Sequence, residues 1–81
     1  MRSIIRFSVD GEQDGKLRNR LAKVLTDSGY VLNTHVTATY EHGSITPANL
    51  AAVMRDFWQQ ASNPPNQATV DHVWMYSDNL P

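Results

Sequence analysis

The stretch YVLNTHVTATYE, Tyr30 to Glu41, decides the architecture of this chain. It is rich in β-branched and aromatic residues, the composition of a pleated, half-buried strand. Alternation places Tyr30, Leu32, Thr34, Val36, Ala38 and Tyr40 on one side. Val31, Asn33, His35, Thr37, Thr39 and Glu41 fall on the other. The stretch is long enough for one strand, or for two short strands in a tight hairpin turning near Asn33-Thr34. Period two is the same in both cases, so periodicity leaves both open.

On the N-terminal side, SIIRFSV (residues 3–9) reads as a strand. Ile5, Phe7 and Val9 share one face, which should meet helices, and Ile4, Arg6, Ser8 and Asp10 share the other. Residues 14–27 read as a helix with Leu17, Leu21, Val24 and Leu25 as its apolar stripe. Lys16, Arg20 and Lys23 line another side of it. Asp10, Glu12 or Asp14 near its start would suit the positive end of the helix dipole, and Gly29 is a reasonable stop.

On the C-terminal side, Glu41-His42-Gly43 reads as a turn. Thr46 then caps a helix with Pro47 at its first position. Leu50, Val53, Met54, Phe57, Trp58 and Ala61 form its stripe, and Asn63-Pro64-Pro65-Asn66 ends it. Residues 69–76, TVDHVWMY, read as a last strand. With a hairpin in the middle, the order is β-α-β-β-α-β. This is an α+β, ferredoxin-like split βαβ arrangement, an antiparallel sheet with two helices on one face. We expect residues 1–81 to form a single domain of this kind.

The composition bounds the function classes. Of the 81 residues, 41% are hydrophobic and 19% charged, as in an ordinary globular protein. No apolar run reaches the roughly 18 residues of a membrane span, and Arg2 and Arg6 interrupt the start as no signal peptide would. With no cysteine, disulfides and Cys-based zinc sites are excluded. We therefore expect a cytoplasmic protein with no membrane association. A modest core makes dimerisation a natural source of further stability. The net charge of −1 argues mildly against a strong nucleic-acid binder. Its distribution is uneven, however: residues 1–25 hold six Lys and Arg against three acids, and the remainder holds Arg55 against five acids. One end of the fold is expected to be locally basic.

Three segments together resemble the small CRISPR-associated Cas-two family. The first is an apolar strand ending on Asp10, a short polar turn, and RNRLAKVLTDSGY. The second is TATYEHGSITPANLAAVM, similar to the family's strand ending in an aromatic and Glu before a Thr-Pro helix start. The third is VDHVWMYSDN, similar to its late strand. The resemblance spans nearly the whole chain in the same order. It implies that the central segment folds as two strands, which favours the hairpin, and that the chain forms a homodimer. It implies one of two roles for such a dimer: a metal-dependent endonuclease acting on RNA or DNA, or a structural partner of the Cas-one integrase in spacer acquisition. Only Asp10 carries over into the metal-binding and catalytic role, facing its copy across the two-fold axis.

The chemistry of the residues fits that role. Mg²⁺ or Mn²⁺ takes oxygen ligands, and one or two carboxylates with phosphate and water suffice for Mg²⁺. Such an ion polarises a phosphoryl oxygen or lowers the pKa of bound water. Arg6, Lys16, Arg18, Arg20 and Lys23 are the candidate phosphate contacts. His35, His42 and His72 match no zinc spacing, although Glu41 and His42 suggest an acid/base pair. Phe57, Trp58 and Trp74 read as core or interface aromatics, because they are not interleaved with Lys and Arg as single-strand stacking platforms are. An interaction protein without catalysis, a homodimer using the open sheet face and the last strand, is the alternative.

Overall fold

A computed structural model describes residues 1–11, 14–64 and 67–79. The elements are β1 (Arg2–Asp10), α1 (Lys16–Asp27), β2 (Val31–Leu32), β3 (Thr39–His42), α2 (Pro47–Ala61) and β4 (Thr69–Asp78). The β-α-β-β-α-β order and the single antiparallel sheet, ordered β2-β3-β1-β4, are those of a ferredoxin-like split βαβ fold.

β1 is the central strand. It pairs with β3 from Ser3↔His42 to Arg6↔Thr39 and with β4 from Arg2↔Asp78 to Asp10↔Thr69. Its alternation divides the sheet into a covered and an open face. Ser3, Ile5 and Phe7 are buried beneath the helices, together with Leu17, Leu21 and Leu25 of α1 and Val53 and Phe57 of α2. The Phe57 ring meets the Phe7 ring edge-on at 5.4 Å, and Phe7 stacks on Tyr40 at 6.0 Å. Trp58 departs from the expected stripe: it is 49% exposed, because its neighbour Phe57 takes the inward position.

The hairpin is real but not tight. β2 has two residues, and residues 33–38 connect it to β3. The side-chain oxygen of Asn33 accepts from the backbone N–H of His35 and Val36, at 2.7 and 3.3 Å, and so organises the connection as a side-chain turn. Ala38, at φ +55°, ends it. His35 therefore stands in this loop, not on a strand. Glu41 and His42, expected in a turn, belong to β3 because both pair with β1.

The helix ends differ. Thr46 caps α2, its side chain accepting from the Asn49 N–H at 3.2 Å. α1 starts after Gly15, at φ 76° and without a side-chain cap. Asp14 takes the expected acidic place, accepting from the Lys16 N–H at 3.1 Å, whereas Asp10 accepts from its own neighbour Gly11 at 3.0 Å. Glu12 lies outside the described residues. Gly29 follows α1 at φ +96°, where a Cβ would stand 2.8 Å from His42 Nε2. Glycine here meets both the turn and the close approach.

One polar pair lies inside the core. The Tyr30 hydroxyl donates to Ser3 Oγ at 2.8 Å. Burial raises the Tyr30 pKa, against a smaller opposing effect of the Ser3 hydrogen bond.

Phe57→Ala should cost about 3–5 kcal/mol, enough to leave so small a domain close to unfolding. Urea unfolding followed by circular dichroism measures this, and a loss under about 1 kcal/mol would show that Phe57 does not anchor the core. Because the folded-state pKa of Tyr30 is raised, its contribution is complete below the ordinary tyrosine value of about 10 and is lost as pH rises through the folded value. Stability should therefore decline in alkali more steeply for the wild type than for Tyr30→Phe. Near-UV titration should show a late tyrosine ionisation that Tyr30→Phe removes.

Candidate interaction surface

The open face of the sheet carries the side chains that the core does not use. Ile4, Arg6 and Ser8 of β1 stand opposite Tyr76, Trp74 and His72 of β4. On the other side, Ile4 faces Glu41 and Glu41 faces Val31. No described helix covers this face. Trp74, Tyr76 and Val31 are 46%, 43% and 69% exposed.

The two β4 aromatics are spaced i, i+2 and so share a face. Their rings lie 6.2 Å apart and nearly parallel, at 9°. β1 supplies a cation to each: Arg6 Cζ lies 5.6 Å from the Trp74 ring centre and Arg2 Cζ 6.0 Å from that of Tyr76. An exposed contact of this kind contributes about 0.5–1 kcal/mol. Arg2 also donates to Asp78 at 2.6 Å, which raises the guanidinium pKa further above its ordinary value. Its Nε is enclosed and meets no acceptor among the described residues.

This interleaving was hidden from a linear reading. TVDHVWMYSD contains no Lys or Arg; the cations arrive from β1 through antiparallel register. The spacing of Arg2 and Arg6, together with that of Trp74 and Tyr76, was the available signal, but the pairing partner was not.

A bulge shapes one end of the face. The β1–β4 register shifts between Ser8 and Val9, so that Ser8 pairs with His72 and Val9 with Val70. Asp71 is the extra residue, and a bulge re-aims its side chain. Asp71 and His72, adjacent in sequence, consequently both meet Ser8. Ser8 Oγ donates to Asp71 Oδ2 at 3.1 Å, and His72 Nδ1 lies 2.9 Å from Ser8 Oγ and 3.2 Å from Asp71 Oδ2. A nucleophilic relay needs Ser and Asp on opposite nitrogens of the imidazole. Here both crowd Nδ1, so the cluster fastens the bulge but does not activate Ser8.

The residues expected to contact metal or phosphate are dispersed. Asp10 is exposed at the end of β1. Among the described residues no three His, Asp or Glu side chains gather at one point. Arg6 is on the open face, whereas Lys16, Arg18, Arg20 and Lys23 stand on α1, in the layer covering the opposite face. Lys16 pairs with Asp14 at 3.8 Å, Lys23 pairs with Asp27 at 3.0 Å, and Arg20 donates to the Asn63 carbonyl at 3.0 Å. Glu41 and His42 project to opposite faces: Glu41 accepts from Asn33 Nδ2 at 3.2 Å, and His42 meets the Tyr30 ring edge-on at 5.3 Å. In regularly paired β3, alternation keeps Glu41 and His42 apart, so they do not form the acid/base pair that their sequence suggests.

A concavity opens where the β1–β3 ladder stops. Ala38 turns the chain away after Arg6↔Thr39, leaving a notch of about 450 Å³ lined by Phe7, Arg18, Leu32, Thr37, Ala38 and Tyr40. It is mainly apolar, with one guanidinium among its lining groups.

Compared with protein-family models, curated proteins and solved structures, the chain matches none. No described helix is long and apolar enough to cross a membrane.

With Trp58 replaced by Phe, Trp74 becomes the sole indole. Arg6→Ala in that background should shift its emission to the red and increase quenching by acrylamide. Stability should change by no more than about 1 kcal/mol. Unchanged quenching would show that the guanidinium does not cover the indole in solution.

Proposed function

We propose that this chain is a non-catalytic protein-interaction module that works as a homodimer through the β4 side of its open sheet. The observation that carries this reading is the exposed Trp74–Tyr76 pair on an outer strand that no described element covers. Large aromatics are favoured at interfaces because they bury much area at little conformational cost. The face around them has mixed charge. Arg2 and Arg6 stand among Glu41, Asp71 and Asp78, and Arg2 is already bound to Asp78. Such a surface suits a partner bearing both signs better than it suits a polyanion.

A nucleic-acid role is the second reading, favoured by the guanidinium of Arg6 beside the Trp74 ring. Aromatic rings with neighbouring cations stack unpaired bases. Duplex binding would draw instead on the α1 cations, on the other layer, and each phosphate contact would add to the salt dependence. In this reading, too, a second copy is needed before two Asp10 carboxylates approach one Mg²⁺ or Mn²⁺ ion. The integrase partnership implied by the Cas-two resemblance belongs to the same reading.

Two measurements separate the readings. Sedimentation equilibrium over a range of concentrations should give a monomer–dimer equilibrium for the wild type, shifted strongly towards monomer in Trp74→Ser/Tyr76→Ser. A monomer at every concentration, or a variant that dimerises as well as the wild type, would overturn the proposal. Labelled RNA and duplex DNA, incubated with Mg²⁺ or Mn²⁺ and separately with EDTA, should remain uncut and weakly bound. Metal-dependent cleavage lost in Asp10→Ala would establish the nuclease reading instead.

A further inference from the structure

The sheet has two outer strands with unequal protection. β2, at one edge, is two residues long. β4, at the other, runs ten residues from Thr69 to Asp78. Outer strands that must remain solitary are usually short or bulged, or carry Lys or Pro, because bare backbone N–H and C=O groups recruit another strand. β4 has a bulge only near one end. Beyond it, HVWMYSD contains no Lys, Arg, Pro or Gly. Trp74, Met75 and Tyr76, the middle of that stretch, are each more than two-fifths exposed.

We propose that β4 pairs antiparallel with β4 of a second copy about a two-fold axis at Met75, joining the two sheets into one. The proposal rests on the homodimer reading above and specifies which part of the surface the copies share. The bulge fixes the axis. Regular pairing with β1 runs without interruption from His72 to Asp78, and Met75 is the midpoint of that segment. In an antiparallel two-fold pair, directly opposed residues share a face, so one residue must oppose its own copy. Centring on Met75 uses the whole regular segment.

The side chains agree with that register. On the open face, Trp74 would oppose Tyr76 of the second copy, and this contact occurs twice. Aromatic cross-strand pairs are among the favourable ones. The two intramolecular stacks would merge into one four-ring cluster. His72 would oppose Asp78 of the second copy, also twice, placing an imidazole beside a carboxylate with no like charges directly opposed. On the helix side, Met75 would meet its own copy, and its flexible thioether fills irregular gaps. Val73 would oppose Ser77.

The absence of native cysteine makes the register directly measurable. Opposed residues have Cα atoms about 4.5–5.5 Å apart, within disulfide range. Ser77, which would oppose Val73 of the second copy, stands roughly 14 Å from its own copy, beyond that range. Under mild oxidation, Met75→Cys should convert most of the protein to a covalent dimer on a non-reducing gel, and thiol reductant should reverse it. Ser77→Cys alone should remain uncrosslinked, whereas Val73→Cys/Ser77→Cys, which keeps both rings, should crosslink. If wild-type sedimentation shows a dimer but neither Met75→Cys nor the double variant crosslinks, the edge register is wrong and the interaction module stands. Equal crosslinking of Ser77→Cys and Met75→Cys would indicate random collision and overturn the register. A monomeric wild type would remove both proposals.

Discussion

Strand β1 is paired along both edges, and its two-residue alternation sets the facing of every neighbour. Ile5 and Phe7 point under the helices, so Tyr40 and Val73, directly opposite, point there as well. Ile4, Arg6 and Ser8 point away, and the same register turns Tyr76, Trp74 and His72 outward. A slip of one residue would exchange the two sets, placing Arg6 beneath the helices and Phe7 in water. Burial of Ile5 and Phe7 against Phe57 and the α1 leucines thus excludes the slipped pairing and, in the same act, assembles the outer face.

Where β1 loses a regular partner, the surface acquires its special features. The ladder with β3 ends after Arg6, because Ala38 adopts a left-handed conformation, and a mainly apolar notch remains. The ladder with β4 shifts after Ser8, because Asp71 is the extra residue, and Asp71 and His72 close on Ser8. Both irregularities occur in the second half of β1. The first half, flanked by regular pairing on both sides, carries the Arg2 and Arg6 contacts to the β4 rings.

Electrostatics divide along the layers. The basic character of the first 25 residues is real in sequence, but its cations do not form one surface. Arg2 and Arg6 lie on the sheet, and the remaining four stand on α1, where Lys16 and Lys23 each meet a local carboxylate. Exposed pairs of this kind contribute at most about 1 kcal/mol to stability. Their larger consequence is to lower the charge available to a polyanion. The open sheet face combines aromatic rings, two guanidiniums and several carboxylates, and the proposed protein partner rests on that mixed character.

Much of the architecture was legible in the sequence because it rests on local periodicity. The leucines of α1, the Thr46-Pro47 start of α2 and the alternation of β1 each declare an element within a few residues. The hairpin was legible only as one of two choices, since alternation survives a turn unchanged. The side chain of Asn33 and the backbone of Ala38 decided where the chain reverses. The candidate surface was not legible, because its parts lie far apart in sequence. Arg6 and Trp74 are 68 residues apart and become neighbours through strand pairing alone. Composition and periodicity determine which residues seek burial and which elements they form. Register, the bulge at Asp71 and the exposed edge of β4 depend on which strands meet, and only the tertiary structure decides that.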